Sequence, residues 1–156
     1  MTVGIETIAL DHPDTIALTT ASVAEINGRY GGRPGSGPKP RAEEFQAPDG
    51  TFLLARLDGK AVGCGGISRL DATTAEVRRM YVAPEARGQG ISRAVLGDLL
   101  QHARDLGYRT VRLETGTRQT EAVGLYLGAG FQRIPCWGPF VDDPISLCFE
   151  LQLFST

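Results

Sequence analysis

From residue 76 to residue 93 the chain reads Glu-Val-Arg-Arg-Met-Tyr-Val-Ala-Pro-Glu-Ala-Arg-Gly-Gln-Gly-Ile-Ser-Arg, a β-type run that passes through a glycine-rich turn into a helical pattern. The chemistry such a turn can do is anion binding. The first amides of a helix have no partners within it, and the aligned peptide dipoles add roughly half a positive charge there. Gly88 and Gly90 let a ligand approach the backbone closely, and Gln89, Ile91 and Ser92 share the turn. Arg87 and Arg93 add charge beside it, which suits a pyrophosphate or an additional phosphate better than a single carboxylate. The Gly-Lys-Ser/Thr ending of a Walker loop is absent. A dinucleotide fingerprint needs a third glycine or alanine where Arg93 stands, and it opens a βαβ unit, whereas this turn follows an apparent meander.

The elements that must hold this turn follow from apolar periodicity. Val3 to Leu10 reads as a short strand, and Pro13 can open a helix with apolar positions Ile16, Val23 and Ile26 that ends near Gly28 to Gly31. Glycine and proline dominate Gly31 to Pro40, which reads as a mobile connection. Thr51 to Leu57 and Ala61 to Leu70 flank Asp58-Gly59, a pair suited to a tight hairpin, and Ala75 to Val82 follows as a third antiparallel strand. Ile91, Val95, Leu99, Ala103 and Leu106 recur at helical spacing, with Gly107 placed to end the helix. Arg109 to Thr115 reads as a strand with Val111 and Leu113 on one face, and Gln119 to Leu127 as a second helix after the turn. The last strand alternates Ile145, Leu147, Phe149, Leu151 and Leu153 with polar partners. This order implies an α/β sandwich on a mixed sheet, and 156 residues fit one domain spanning 1–156.

Bulk properties narrow the function. A net charge of -2 gives no basic face for nucleic acid. No apolar run is long enough for a bilayer, and Met1 to Leu10 lacks the pattern of a secretory signal, so the expected location is the cytoplasm. Cys64, Cys136 and Cys148 have no CxxC spacing, and His12 and His102 lie far apart, so neither a metal site nor a disulfide framework is expected. Cys64 has no adjacent histidine to activate it and reads as core packing.

Arg87-Gly-Gln-Gly-Ile-Ser92, after a strand ending Met80-Tyr81-Val82, resembles motif A of the GNAT superfamily of N-acetyltransferases, Arg/Gln-x-x-Gly-x-Gly/Ala. Ser92 replaces the usual last glycine or alanine. A second stretch, Glu121-Ala-Val-Gly-Leu-Tyr-Leu-Gly-Ala-Gly-Phe131, resembles the family's helix ending Leu-Tyr before Gly-Phe, with Gln119 where many members carry asparagine. The resemblance spans Gly50 to the end. It implies a GNAT-like mixed, mostly antiparallel central sheet flanked by helices, and acetyl-CoA as co-substrate without a metal. The pantetheine arm would lie along Met80, Tyr81 and Val82, and the pyrophosphate at the amides of Gly88 to Ser92.

An amine with a pKa of about 10 is almost wholly protonated at pH 7, so attack on a thioester in a ternary complex requires a proton acceptor. Glu76 stands where some relatives carry that carboxylate, although pairing with Arg78 would also explain it. Tyr126 matches the family's donor to the departing thiolate, and its helical spacing suits the core equally well. The amide of Val82 is the expected donor to the thioester carbonyl. Trp137, Phe140, Asp142 and Asp143 form an aromatic and acidic connection that could receive a cationic amine. The acceptor is a small-molecule or peptide amine. A sensor that binds acyl-CoA without turnover is the alternative, and a homodimer through C-terminal edge strands fits the family.

Overall fold

In the computed structural model, which describes residues 2–32 and 37–154, seven strands form one sheet. They are β1 (Val3–Thr7), β2 (Thr51–Leu57), β3 (Lys60–Arg69), β4 (Thr74–Val82), β5 (Thr110–Gly116), β6 (Gln132–Ile134) and β7 (Ser146–Gln152), in the spatial order β1-β2-β3-β4-β5-β7-β6. Only the β4–β5 pair is parallel; the other neighbours run antiparallel. The expected β2–β3 hairpin closes at Leu57↔Lys60, with Asp58 and Gly59 at φ of 50° and 86°. Two central residues in the left-handed region match the twist of the flanking strands.

Three helices cover the sheet: α1 (Pro13–Arg29), α2 (Ile91–Asp105) and α3 (Thr120–Gly128). α2 buries Ile91, Val95, Leu96, Leu99, Leu100 and Ala103, one apolar stripe, against Leu53, Val62, Ile67, Val77, Val111 and Leu113 of the sheet. Removing these side chains from water is the main force that fixes the helix in place. The opposite face carries a second cluster of Leu18, Phe45, Phe52, Leu54, Cys64, Tyr81 and Ala83.

α1 departs from its apolar pattern. It buries Thr15, Leu18 and Ser22, while Ile16 and Val23 remain 49% and 37% exposed. Small polar residues let the helix lie close to the sheet, and Thr15 satisfies its hydroxyl on the Ala9 carbonyl at 3.0 Å. The expected mobile connection at 31–40 includes residues 33–36, which lie outside the described residues.

The cysteine expectation is corrected. Cys136 and Cys148 form a disulfide, their Cα atoms 5.2 Å apart, which leaves Cys64 free and buried. β6 is the reason: it pairs Ile134 with Cys148 and so brings Cys136 alongside β7, a contact between residues 12 apart that no short spacing rule detects.

Candidate active site

The site begins with a defect in β4. Arg78 pairs with Gly66 and Tyr81 with Cys64, so β4 holds one residue more than β3 over the same stretch. Arg79, at φ 61°, sits at this bulge. An extra residue bends its strand and breaks the regular ladder. β4 accordingly follows β5 only from Thr74 to Glu76, opposite Thr110 to Arg112, and then separates from it.

Between the separated strands lies a cleft of about 470 Å³. Met80, Tyr81 and Val82 wall it from β4, Glu114, Thr115 and Gly116 from β5, and Ala122, Leu125 and Tyr126 from α3. The Ala83 amide donates to the Val62 carbonyl at 2.8 Å. Backbone groups of an antiparallel strand turn to opposite sides at successive residues, so those of Val82 point away from β3 into the gap. Thr115 Oγ1 is buried without a hydrogen-bond partner on this same wall, the only such side-chain atom among the described residues.

At one end of the cleft α2 presents its N-terminus. Gly90 is the N-cap at φ 80°, ψ 11°, and contributes no side-chain cap. The helical ladder starts with the Ala94 amide on the Gly90 carbonyl, which leaves the amides of Ile91, Ser92 and Arg93 without helical partners. Gly88 also has φ of 80°, and a Cβ at either glycine would meet no atom within 4 Å. Backbone hand, with open space outside it, therefore explains both glycines.

The candidates of motif A do not all face the cleft. Gly88, Gly90, Ile91 and Ser92 line it; Gln89 and Arg93 are exposed and do not. Arg87 lines it with its guanidinium already engaged, donating to the Val82 carbonyl at 3.0 Å and to Glu25 of α1 at 2.7 Å. Gln119 lines it too, but its side-chain oxygen accepts from the Gly116 amide at 3.0 Å and folds back the β5–α3 turn.

Glu76 and Glu114 share this cleft. Glu76 makes no hydrogen bond or ion pair among the described residues, because Arg78 instead pairs with Glu44 at 3.5 Å and donates to the Pro38 carbonyl at 2.7 Å. Burial raises the Glu76 carboxyl above its ordinary range, opposed by the Arg78 charge. Glu114 is pushed up to about 7, first by burial and further by Asp143 and Glu76, although the Ser146 hydroxyl donates to it at 2.8 Å. A carboxyl poised near neutrality is suited to acid–base work. Glu114 was not singled out from the sequence; the strand parity that puts Val111 and Leu113 in the core puts Glu114 on the Glu76 face.

Tyr126 is 5% exposed and packs edge-on to Phe131, with ring centroids 5.7 Å apart, yet it also lines the cleft. Burial and the neighbouring Glu114 charge raise its phenol, so its O–H remains protonated. Both readings of this residue hold geometrically. Phe140 and Asp143 reach the cleft, whereas Trp137 lies under the Arg112 guanidinium, 5.6 Å from its ring centroid, and off the cleft wall. Burial pushes the Cys64 thiol up to about 12, which keeps it neutral and unreactive. Among the described residues no group of three or more His, Cys, Asp or Glu side chains could hold a metal, and no helix is long and apolar enough to cross a membrane.

The acetyltransferase (GNAT) family's sequence model matches residues 21–131. The IAA acetyltransferase of Azospirillum brasilense is 41% identical over 107 residues, covering 68% of this chain and 70% of that protein. Among solved structures, a Klebsiella pneumoniae protein assigned as an acyl-CoA N-acyltransferase superposes with a TM-score of 0.83 at 30% identity, covering 98% of this chain and 99% of that one. A GNAT family acetyltransferase of Elizabethkingia anophelis, solved with acetyl-CoA bound, shares the fold at a TM-score of 0.66 and 19% identity, covering 96% of this chain and 97% of that one.

Proposed function

Because the chain belongs to the acetyltransferase (GNAT) family and is an acyl-CoA N-acyltransferase, we propose that it moves an acetyl group from acetyl-CoA directly to a primary amine, both held in the β4–β5 cleft. The observation that carries this reading is the coincidence of three features in one cavity: an unpaired strand edge, a bare helix N-terminus and two half-buried carboxylates. Acetyl-CoA supplies the acyl group as a thioester, whose carbon–sulfur bond breaks as the nitrogen–carbon bond forms.

The protein's own groups fit such a ligand. The Met80 to Val82 edge of β4, unpaired toward β5, offers backbone groups to an extended arm that carries amides, with the Val82 carbonyl already accepting from Arg87 and the buried Thr115 on the facing wall. The amides from Ile91 to Arg93 receive the anionic end, with Gly88 and Gly90 clearing the approach. Glu76, the carboxylate with no hydrogen bond of its own, takes the proton that the amine must lose. Glu114 beside it adds negative charge that draws the ammonium form into the cleft. Tyr126, held protonated by burial, donates a hydrogen bond to the departing sulfur, and the Val82 amide to the acyl oxygen. Two carboxylates lining one cleft favour turnover over passive acyl-CoA sensing.

Calorimetric titration with acetyl-CoA, CoA and ATP tests the ligand assignment. Micromolar binding of both CoA species without ATP binding is expected. Binding of ATP and of neither CoA species would refute it.

A further inference from the structure

Among the described residues, every arginine of strands β2 to β5 except Arg79 holds an ion pair. Arg56 meets Glu6 and Asp14, Arg78 meets Glu44, Arg87 meets Glu25, and Arg112 meets Glu150. Arg79, at the bulge, is partly buried, and its guanidinium has no hydrogen bond or ion pair among the described residues. Burial, then the neighbouring Arg78 charge, lowers its pKa, the signature of a cation without a counter-charge. A desolvated guanidinium left unpaired is costly, and an anion restores the balance.

Position says what kind of anion. Arg79 is the residue shared by the linings of the acyl cleft and of a second cavity of about 500 Å³. That second wall is largely apolar, with Leu10, Ile16, Val23, Pro40 and Ala42, and Asp11 is its only acid. The exposed Ile16 and Val23, which α1 does not bury, belong to it. A ligand spanning both cavities meets carboxylates at its amine end, a guanidinium in the middle and apolar side chains beyond.

We infer that the acceptor is an amine carrying a carboxylate and an apolar chain, the class of apolar α-amino acids, and that Arg79 binds its carboxylate. This rests on the acetyl-transfer reading above and deepens it. The reacting amine enters as ammonium and loses one proton to Glu76 before it attacks; as its nitrogen bonds to the acyl carbon and the carbon–sulfur bond breaks, the second proton it sheds neutralises the departing thiolate. Arg79 touches the acceptor alone and takes no proton.

The test pairs leucine, methionine and phenylalanine with the amines that lack only the carboxylate. In acetyl transfer, at least one amino acid should exceed its matched amine in kcat/KM by roughly tenfold to a hundredfold, the range of a hydrogen bond to a charged group. The Arg79→Gln variant, which keeps a shorter polar side chain and removes the charge, should reduce that ratio to about one, chiefly through KM. Calorimetry of the N-acetyl amino acids against the matched N-acetyl amines, without acetyl-CoA, should show the same carboxylate preference and its loss. Thermal melts and CoA binding check that the variant folds. Equal rates and equal binding across all pairs, or a preference that survives in Arg79→Gln, overturns the inference. Transfer to the plain amines alone would overturn it while leaving the acetyl-transfer reading intact. Carboxylate-selective binding without transfer to any amine would sustain the anion site and refute the transfer.

Discussion

Replacing Glu114 by glutamine removes an ionisation while keeping an oxygen for the Ser146 hydroxyl. In the folded protein this carboxyl titrates at about 7 against an ordinary 4.5. Between those pH values the folded state therefore binds a proton that the unfolded chain has released, and stability falls as pH rises through the window. The glutamine variant escapes that loss. Its stability relative to the parent should rise from under about 1 kcal/mol at pH 5 to about 3 kcal/mol at pH 8, at about 1.4 kcal/mol per pH unit of displacement. For a chain of this size that amounts to roughly 6–12 °C in Tm at pH 8. Urea titrations of both proteins at pH 5 and pH 8, read at matched slope, measure it. Equal gains at the two pH values would show that the glutamine merely packs better. A loss at both would show that Glu114 is an ordinary ionised carboxylate that the fold needs.

Glu76→Gln should abolish the acidic limb of kcat/KM against pH; a limb that survives there and disappears in Glu114→Gln transfers the proton-acceptor role to β5. Gly90→Asp places a carboxylate at the bare N-terminus of α2 in a backbone conformation that L side chains rarely adopt; the helix end attracts that carboxylate in place of the ligand's anionic end, and acetyl-CoA binding should weaken by roughly tenfold, read by calorimetry. Tyr126→Phe should lower kcat by roughly tenfold or more with acetyl-CoA affinity nearly unchanged; an unaltered kcat would confine Tyr126 to packing against Phe131 and Phe149.

Much of this arrangement was legible in the chain. The Asp58-Gly59 turn, the α2 stripe and the Gly88/Gly90 turn each rest on local rules of backbone hand and periodicity, and each appears where those rules put it. What local rules could not reach was pairing across distance. Glu114 acquires its chemistry first from burial and then from Asp143 and Glu76, against the Ser146 hydrogen bond, surroundings that the β4–β5–β7 order assembles. Arg87 reads as a phosphate ligand in isolation, yet Glu25, 62 residues away, holds its guanidinium. The disulfide went unseen because β6 had to be placed against β7 first. Apolar residues on α1 suggested a buried face, whereas the helix turns threonine and serine to the sheet and leaves Ile16 and Val23 to line a cavity.

The bulge at Arg79 also changes how the site can be lost or inherited. Val77 and Met80, three positions apart, both pack on the α2 side of the sheet, so strict alternation fails across residue 79. Deleting that one residue would restore the phase of β4, let it zip along β5 and erase the cavity, although Glu76, Glu114 and Tyr126 would all survive. Substitutions at the same position leave the count, and hence the opening, in place. The cleft is thus written in the number of residues rather than in their kinds, so that insertions and deletions, more than point changes, set whether a relative of this chain keeps it.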